Sequence, residues 1–174
     1  IEDELHLPVF LANDADAAAY GEFMAGAGKT DSGEHIRNML AITLGTGVGS
    51  GIIINSKIYN GYGFAGGEFG HTTINFNGRP CTCGRRGCID IYCSATGLIL
   101  TAKEHMEKNP DSLMWKLCDS DLDKVDGRTC FDAAAQGDPA GQAAVDEYTT
   151  YLGEALVNAV NTLQPELICL GGGV

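Results

Sequence analysis

The segment "LAITLGTGVGSGIII", Leu40 to Ile54, sets two apolar runs on either side of a turn built largely from glycine. Short apolar runs bounded by glycine predict strands rather than helices. A turn this bare predicts that the second strand folds back antiparallel on the first. With no Cβ in the way, its backbone N–H groups can also approach a phosphate closely. An ordinary hairpin has the same pattern, so the turn alone fixes no function. A dinucleotide fingerprint is ruled out, because Ser50 stands where its third glycine belongs and a strand-like run follows where a helix is needed. "GAGKT", Gly26 to Thr30, fails as a P-loop: Phe23 occupies the place of the first glycine, and the segment follows a helical pattern instead of a strand.

The remaining elements agree with a mixed architecture. "LPVFLA", Leu7 to Ala12, reads as a short strand, and Asp14 as the cap of the alanine-rich helix after it. "GKTDSGEHIRN", Gly28 to Asn38, is a polar connection. "NGYGFAGGEFGHTT" has too few periodic apolar residues for a helix, whereas "SATGLILTAKEHMEK" predicts one opened by Ser94. "DSLMWKLC" and "TCFDAAAQG" predict two short helices. The segment from Asp138 to Gln164 predicts a long one, with Ala144, Tyr148, Tyr151, Leu152, Ala155, Leu156, Ala159, Val160 and Leu163 on one face. Pro165 ends it, and "ELICL" predicts a buried strand before Gly171. Strands alternating with helices, with glycine turns at strand ends, predict an α/β fold.

Composition narrows the partners. Asp plus Glu outnumber Lys plus Arg by 23 to 11 in 174 residues, a formal net charge of -12, which argues against nucleic acid or an anionic membrane surface. No apolar run reaches membrane-spanning length, and "IEDELHLPVF" lacks the layout of a signal peptide. Cys93, Cys118, Cys130 and Cys169 lie scattered in apolar or helical contexts and read as free thiols, which suits a reducing cytoplasm. A chain that opens without Met and stops directly after a strand reads as an excerpt of a longer protein.

Three features carry chemistry. Asn13-Asp14 follows a strand pattern, at the kind of position where α/β proteins bind ligands and a carboxylate can accept a proton from a hydroxyl. Glu68 and His71, three residues apart among glycines, suit hydrogen bonding to the vicinal hydroxyls of a sugar. "CTCGRRGC" gathers Cys81, Cys83 and Cys88 on a tight loop, with Gly84 and Gly87 permitting the turns. A Cys81–Cys83 disulfide would be strained and would leave Cys88 over, so a closed tetrahedral zinc site is the favoured reading. His71 is the nearest candidate for its fourth ligand, and Cys93 competes. Arg85 and Arg86 suggest a nucleic-acid knuckle, but the charge balance opposes it.

The segments "NDADAAAYGE", "LAITLGTGVGSGIII", "GGEFGHTTI", "CTCGRRGCID", "SATGL" and "LGGGV" together resemble the ROK family of sugar kinases and repressors, in the family's order and over nearly the whole chain. The resemblance implies an actin-like ATPase (ribonuclease H-like) fold. Residues 1–37 would then be a remnant of the small N-terminal lobe, and 38–174 most of the larger C-terminal lobe with an inserted zinc-binding loop. It implies an ATP-dependent kinase of glucose or an N-acetylhexosamine, with Mg²⁺ and a structural Zn²⁺, cytoplasmic and a homodimer or higher oligomer. The alternative within the family is the sugar-sensing part of a transcriptional repressor. Asp14 matches the catalytic base, and Asn13, Glu68 and His71 match sugar contacts. Asp90 stands where the family usually has a sugar-contacting glutamate, and its shorter side chain puts that contact in question. His71, Cys81, Cys83 and Cys88 match the zinc ligands, Gly45, Thr46 and Gly47 the turn facing ATP phosphates, and Gly171, Gly172 and Gly173 the adenosine region. The family's Asp–x–Gly–Gly–Thr turn is absent, so these 174 residues alone are expected to have little or no kinase activity.

Overall fold

The predicted hairpin forms in the computed structural model, which describes residues 1–174 apart from Phe10, Asp31 and His35. Two helices precede it, α1 (Glu2–Leu5) and α2 (Asp14–Ala25). β1 (Met39–Leu44) pairs antiparallel with β2 (Val48–Ile54), and β2 pairs antiparallel with the short β3 (Lys57–Tyr59). A glycine-rich loop with one 3₁₀ turn at Phe69–His71 leads to α3 (Asp90–Cys93) and α4 (Ala95–Lys108). Then come α5 (Leu113–Leu117), α6 (Thr129–Ala135), the long α7 (Pro139–Leu163) and β4 (Leu167–Gly172). β4 returns to pair parallel with β1, so the strand order is β3-β2-β1-β4.

Alternation along β1 sends its side chains to two different cores. Met39 and Ala41 pack with Ile53 against Ala19 and Phe23 of α2. Leu40, Ile42 and Leu44 face the other way, onto Ala159 and the half-buried Leu152, Leu156 and Leu163 of α7. A third core lies among the helices, where Leu98, Ala102, Met106, Met114, Cys130, Ala144 and Tyr148 cluster. Ile89, Tyr92, Cys93 and Ala155 join the exit of the cysteine loop to α7.

Helix ends follow the sequence signals closely. Ser94 caps α4 through Gly97 N–H. Asp138 caps α7 ahead of Pro139, and Gln164 closes it in the left-handed conformation at φ 44° before Pro165. Four expectations are corrected. The cap of α2 is Asn13, not Asp14: the Asn13 side chain accepts from the N–H groups of Ala15 and Asp16, and Asp14 becomes the first helical residue. Leu7 to Ala12 forms no strand at its described residues, because none of them pairs with the sheet; Leu7 and Leu11 are exposed, and Phe10 lies outside the described residues. β4 is half-buried and then exposed instead of buried, since it is an edge strand with one neighbour. On α7, Val160 is exposed, so the apolar face is narrower than the periodicity predicts. The connection over 28–38 is irregular at its described residues; Asp31 and His35 lie outside them.

Candidate active site and metal centre

The N-terminus of α2 and the glycine loop after β3 close on a cavity of ≈ 130 Å³. Asn13, Asp14, Asp16 and Glu68 line it, together with Gly49 and Ser50 of β2 and with Phe64, Gly66 and Gly67. Asn13 spends its Oδ1 on the helix cap. Asp14 turns Oδ1 to its own neighbour, Ala15 N–H, at 2.9 Å, and its residue is exposed. Ser50 Oγ donates to Gly67 O, which fixes the loop carrying Glu68 against the strand. Asp16 was not singled out from the sequence. It faces Glu68, and burial, followed by that carboxylate, holds its own carboxyl above the ordinary range. Asn13, Asp16 and Phe64 also line a larger neighbouring cavity of ≈ 730 Å³, with Leu11, Tyr20, Ile58 and Asn60 on its far walls.

The turn between β1 and β2 lies at the same end of the sheet as the tip of β4. Gly45 N–H donates to Gly47 O at 3.0 Å, and Gly173 N–H to Leu44 O at 2.9 Å. These are the C-terminal ends of two parallel strands, where α/β sheets bind ligands. The N–H groups of Thr46 and Gly47 have no acceptor among the described residues, so both stay available to an anion. Gly173 opens onto a cavity of ≈ 650 Å³ lined by Ala95, Asp126, Gly127, Arg128, Phe131, Asp132 and Val174. Of the three candidate glycines only Gly173 lines it, while Gly171 and Gly172 pair with Thr43 and Leu44 in the sheet. Sequence reasoning missed the wall from Asp126 to Asp132 because it comes from α6 and the turn before it, which no motif marks.

His71 and the three cysteines come together. Their ligand atoms all lie within 4.8 Å of one another. Cys83 Sγ is 3.7 Å from Cys88 Sγ, and Cys81 Sγ is 3.6 Å from His71 Nδ1. A tetrahedral zinc with ordinary bond lengths sets sulfur–sulfur edges near about 3.8 Å and sulfur–nitrogen edges near about 3.6 Å. The donor set and its spacing therefore fit Zn²⁺, with His71 bound through Nδ1. Burial, and then the neighbouring sulfurs, push the Cys88 thiol up to about 12, so three thiolates need a cation to coexist. Cys93, the competing ligand, is buried in α3 outside this cluster, with its thiol pushed up to about 12 by burial.

The loop is built to hold that geometry. Gly84 and Gly87 take φ of 85° and 73°, and a Cβ at Gly87 would stand 1.7 Å from Asn75 O. Arg85 reaches back instead of outward, donating to His71 O at 3.1 Å and Thr73 Oγ1 at 2.8 Å. At the base, Arg79 forms a two-pronged pair with Glu104 of α4, both contacts at 2.9 Å, and lies over the Tyr92 ring at 4.7 Å. His71 does not line the ≈ 130 Å³ cavity; it follows Glu68 through the 3₁₀ turn, where His71 N–H donates to Glu68 O at 3.0 Å. Asp90, two residues beyond Cys88, points to the β1–β2 turn: its Oδ1 accepts Val48 N–H at 2.7 Å.

Comparison with known proteins finds relatives over the whole chain. A family model described as the ROK family matches residues 1–174. A glucokinase of Halalkalibacterium halodurans is 42% identical over 178 residues, covering 100% of this chain and 51% of that protein. A xylose repressor of Bacillus spizizenii is 35% identical over 174 residues, covering 100% of this chain and 40% of the repressor. Among solved structures, a ROK family glucokinase from Streptomyces griseus in complex with glucose and AMPPNP superposes with a TM-score of 0.83 at 35% identity. That match covers 99% of this chain and 54% of the glucokinase. The chain spans about half the length of the curated relatives it matches.

Proposed function

The chain belongs to the ROK family, and we propose that it serves ATP-dependent phosphorylation of a hexose hydroxyl, on glucose or an N-acetylhexosamine. Its fold is the actin-like ATPase fold of ROK sugar kinases. One observation carries the reading: Asn13, Asp14 and Glu68 share a cavity with the hairpin whose turn leaves two N–H groups free. A sugar sensor needs sugar contacts such as Asn13 and Glu68, but neither a base at Asp14 nor an anion-binding turn.

In the proposed reaction Asn13, Glu68 and His71 orient the sugar, and Asp14 takes the proton of the attacking hydroxyl. That oxygen bonds to the γ-phosphorus, the bond from phosphorus to the bridging oxygen breaks, and ADP leaves with the electron pair. Positioning and charge stabilisation dominate such a transfer. The N–H groups of Thr46 and Gly47 donate to phosphate oxygens, and the Gly171–Gly173 end of β4 receives the adenosine. Mg²⁺ bound with the nucleotide would offset phosphate charge. His71, Cys81, Cys83 and Cys88 would hold a structural Zn²⁺, which would fix the loop that carries Glu68 and His71. Residues 1–37 are assigned to the small lobe and 38–174 to the larger one. Buried free thiols at Cys93, Cys118 and Cys130 suit a reducing cytoplasm.

The repressor relative supports a second reading, in which the same cavity senses a sugar without turning it over. A panel of hexoses offered with Mg²⁺ and ATP to the full-length gene product separates the two. ADP release driven by at least one hexose is the expected result. Sugar binding with no turnover on any member of the panel would replace the kinase by the sensor.

A further inference from the structure

The β1–β2 turn is held from outside the sheet, by the segment that leaves the cysteine loop. Ala95 N–H donates to Gly45 O at 2.8 Å, and Thr96 Oγ1 donates to Thr46 O at 2.8 Å. Asp90 Oδ1 accepts Val48 N–H at 2.7 Å. Residues 90–96 thus fasten three consecutive points of the turn: two carbonyls and the amide at its exit. The carboxylate makes the charge-assisted contact of the three. Its approach needs Gly47, because a Cβ there would lie 2.8 Å from Asp90 Oδ1.

We propose that Asp90 is a positioning residue for the nucleotide, holding the Gly45–Gly47 turn so that the Thr46 and Gly47 N–H groups face the phosphates, and is not a sugar contact. The inference rests on the kinase reading above and deepens it. With Val48 N–H tied to Asp90, the Gly45 and Thr46 carbonyls tied to Ala95 and Thr96, and Gly45 N–H paired with Gly47 O, the backbone groups left over in the turn are two donors. An anion site needs donors without competing acceptors, and this fastening produces one. It also makes the cysteine loop a determinant of the nucleotide site, since Asp90 follows Cys88 by two residues.

The test uses the full-length protein and three variants: Asp90→Ala, Asp90→Asn and Thr96→Val. A hydrogen bond to a charged acceptor is worth enough that Asp90→Ala should raise the KM for ATP by about tenfold or more. The KM for hexose should stay within about twofold of wild type. Asp90→Asn keeps an acceptor for Val48 N–H and should recover most of the ATP affinity, with Thr96→Val shifting the same constant less. Amide hydrogen exchange at Val48 should accelerate in Asp90→Ala and not in Asp90→Asn. A rise in the hexose constant with the ATP constant unchanged makes Asp90 a sugar ligand and overturns the proposal. An equal rise in both, or a rise in neither, overturns it as well. If wild type turns over no hexose, the kinase reading falls separately; binding of a non-hydrolysable ATP analogue and Val48 exchange then decide the role of Asp90. Unchanged values in both measurements reject it.

Discussion

Asp16 shows how one side chain reports on its neighbours. Its carboxyl is held above the ordinary range by burial and then by Glu68 across the cavity. An acid whose folded value lies above its unfolded one costs stability when ionised in both states, and that cost disappears as the pH falls below the unfolded value. Asp16→Asn should therefore stabilise the fold at neutral pH, by less than about 1 kcal/mol after solvent screening, and raise the melting temperature accordingly. The gain should vanish as the pH drops through the ordinary carboxylate range, and a gain that instead grows in acid contradicts the pairing. The residue types of this cavity were legible in the sequence at Asn13, Asp14 and Glu68, because each sits in a recognisable motif. The partition of roles was not. Asn and Asp are equally good caps; the sequence pointed to Asp14, and only the backbone direction gives the cap to Asn13. The Asp16–Glu68 and Asp90–Val48 contacts join segments far apart in sequence, and no local pattern encodes them.

At the scale of elements, the cysteine loop behaves as a clamp with a base, a metal site and an exit. Arg79 is the base, with Glu104 and Thr101 of α4 as partners and Glu147 of α7 at 3.8 Å. Arg79→Ala should destabilise the fold by about 2 kcal/mol, less than a fully buried pair because both glutamates are partly exposed. Thermal melts of the metal-loaded protein check this; an unchanged midpoint would remove Arg79 from the clamp. For the metal site, protein purified without chelator should carry about one equivalent of zinc, and Cys88→Ser should lose most of it. Metal analysis giving less than about half an equivalent in wild type would contradict the four-ligand set. Ligand spacing, the glycine hairpin, the Ser94 cap and the Pro165 stop were all legible, since each is a local rule. The expected strand over 7–12 failed at its described residues because strand formation depends on a partner that propensity does not see. Arg85 was legible as a cation but not as an inward tie to His71 O.

For the whole molecule, strand order decides what the motifs do together. β4 returns beside β1, so the Gly45–Gly47 turn and the Gly171–Gly173 tip meet at one end of the sheet. α2 packs on the same sheet and brings Asp14 to the cavity next to the hairpin. A net charge of -12 leaves anion binding to local backbone donors, as the turn provides, and not to a basic surface. This convergence depends on the long crossover through α3 to α7, which the sequence indicated only as a run of helices followed by a strand. If Asp14 is the base of a phosphoryl transfer, removing its carboxylate slows the chemical step. Sugar-phosphate formation by full-length wild type and Asp14→Asn, with saturating hexose, ATP and Mg²⁺, tests it most directly. The expected result is a fall in kcat of about 10²–10⁴-fold with the hexose KM little changed. Equal kcat in the two proteins would contradict it.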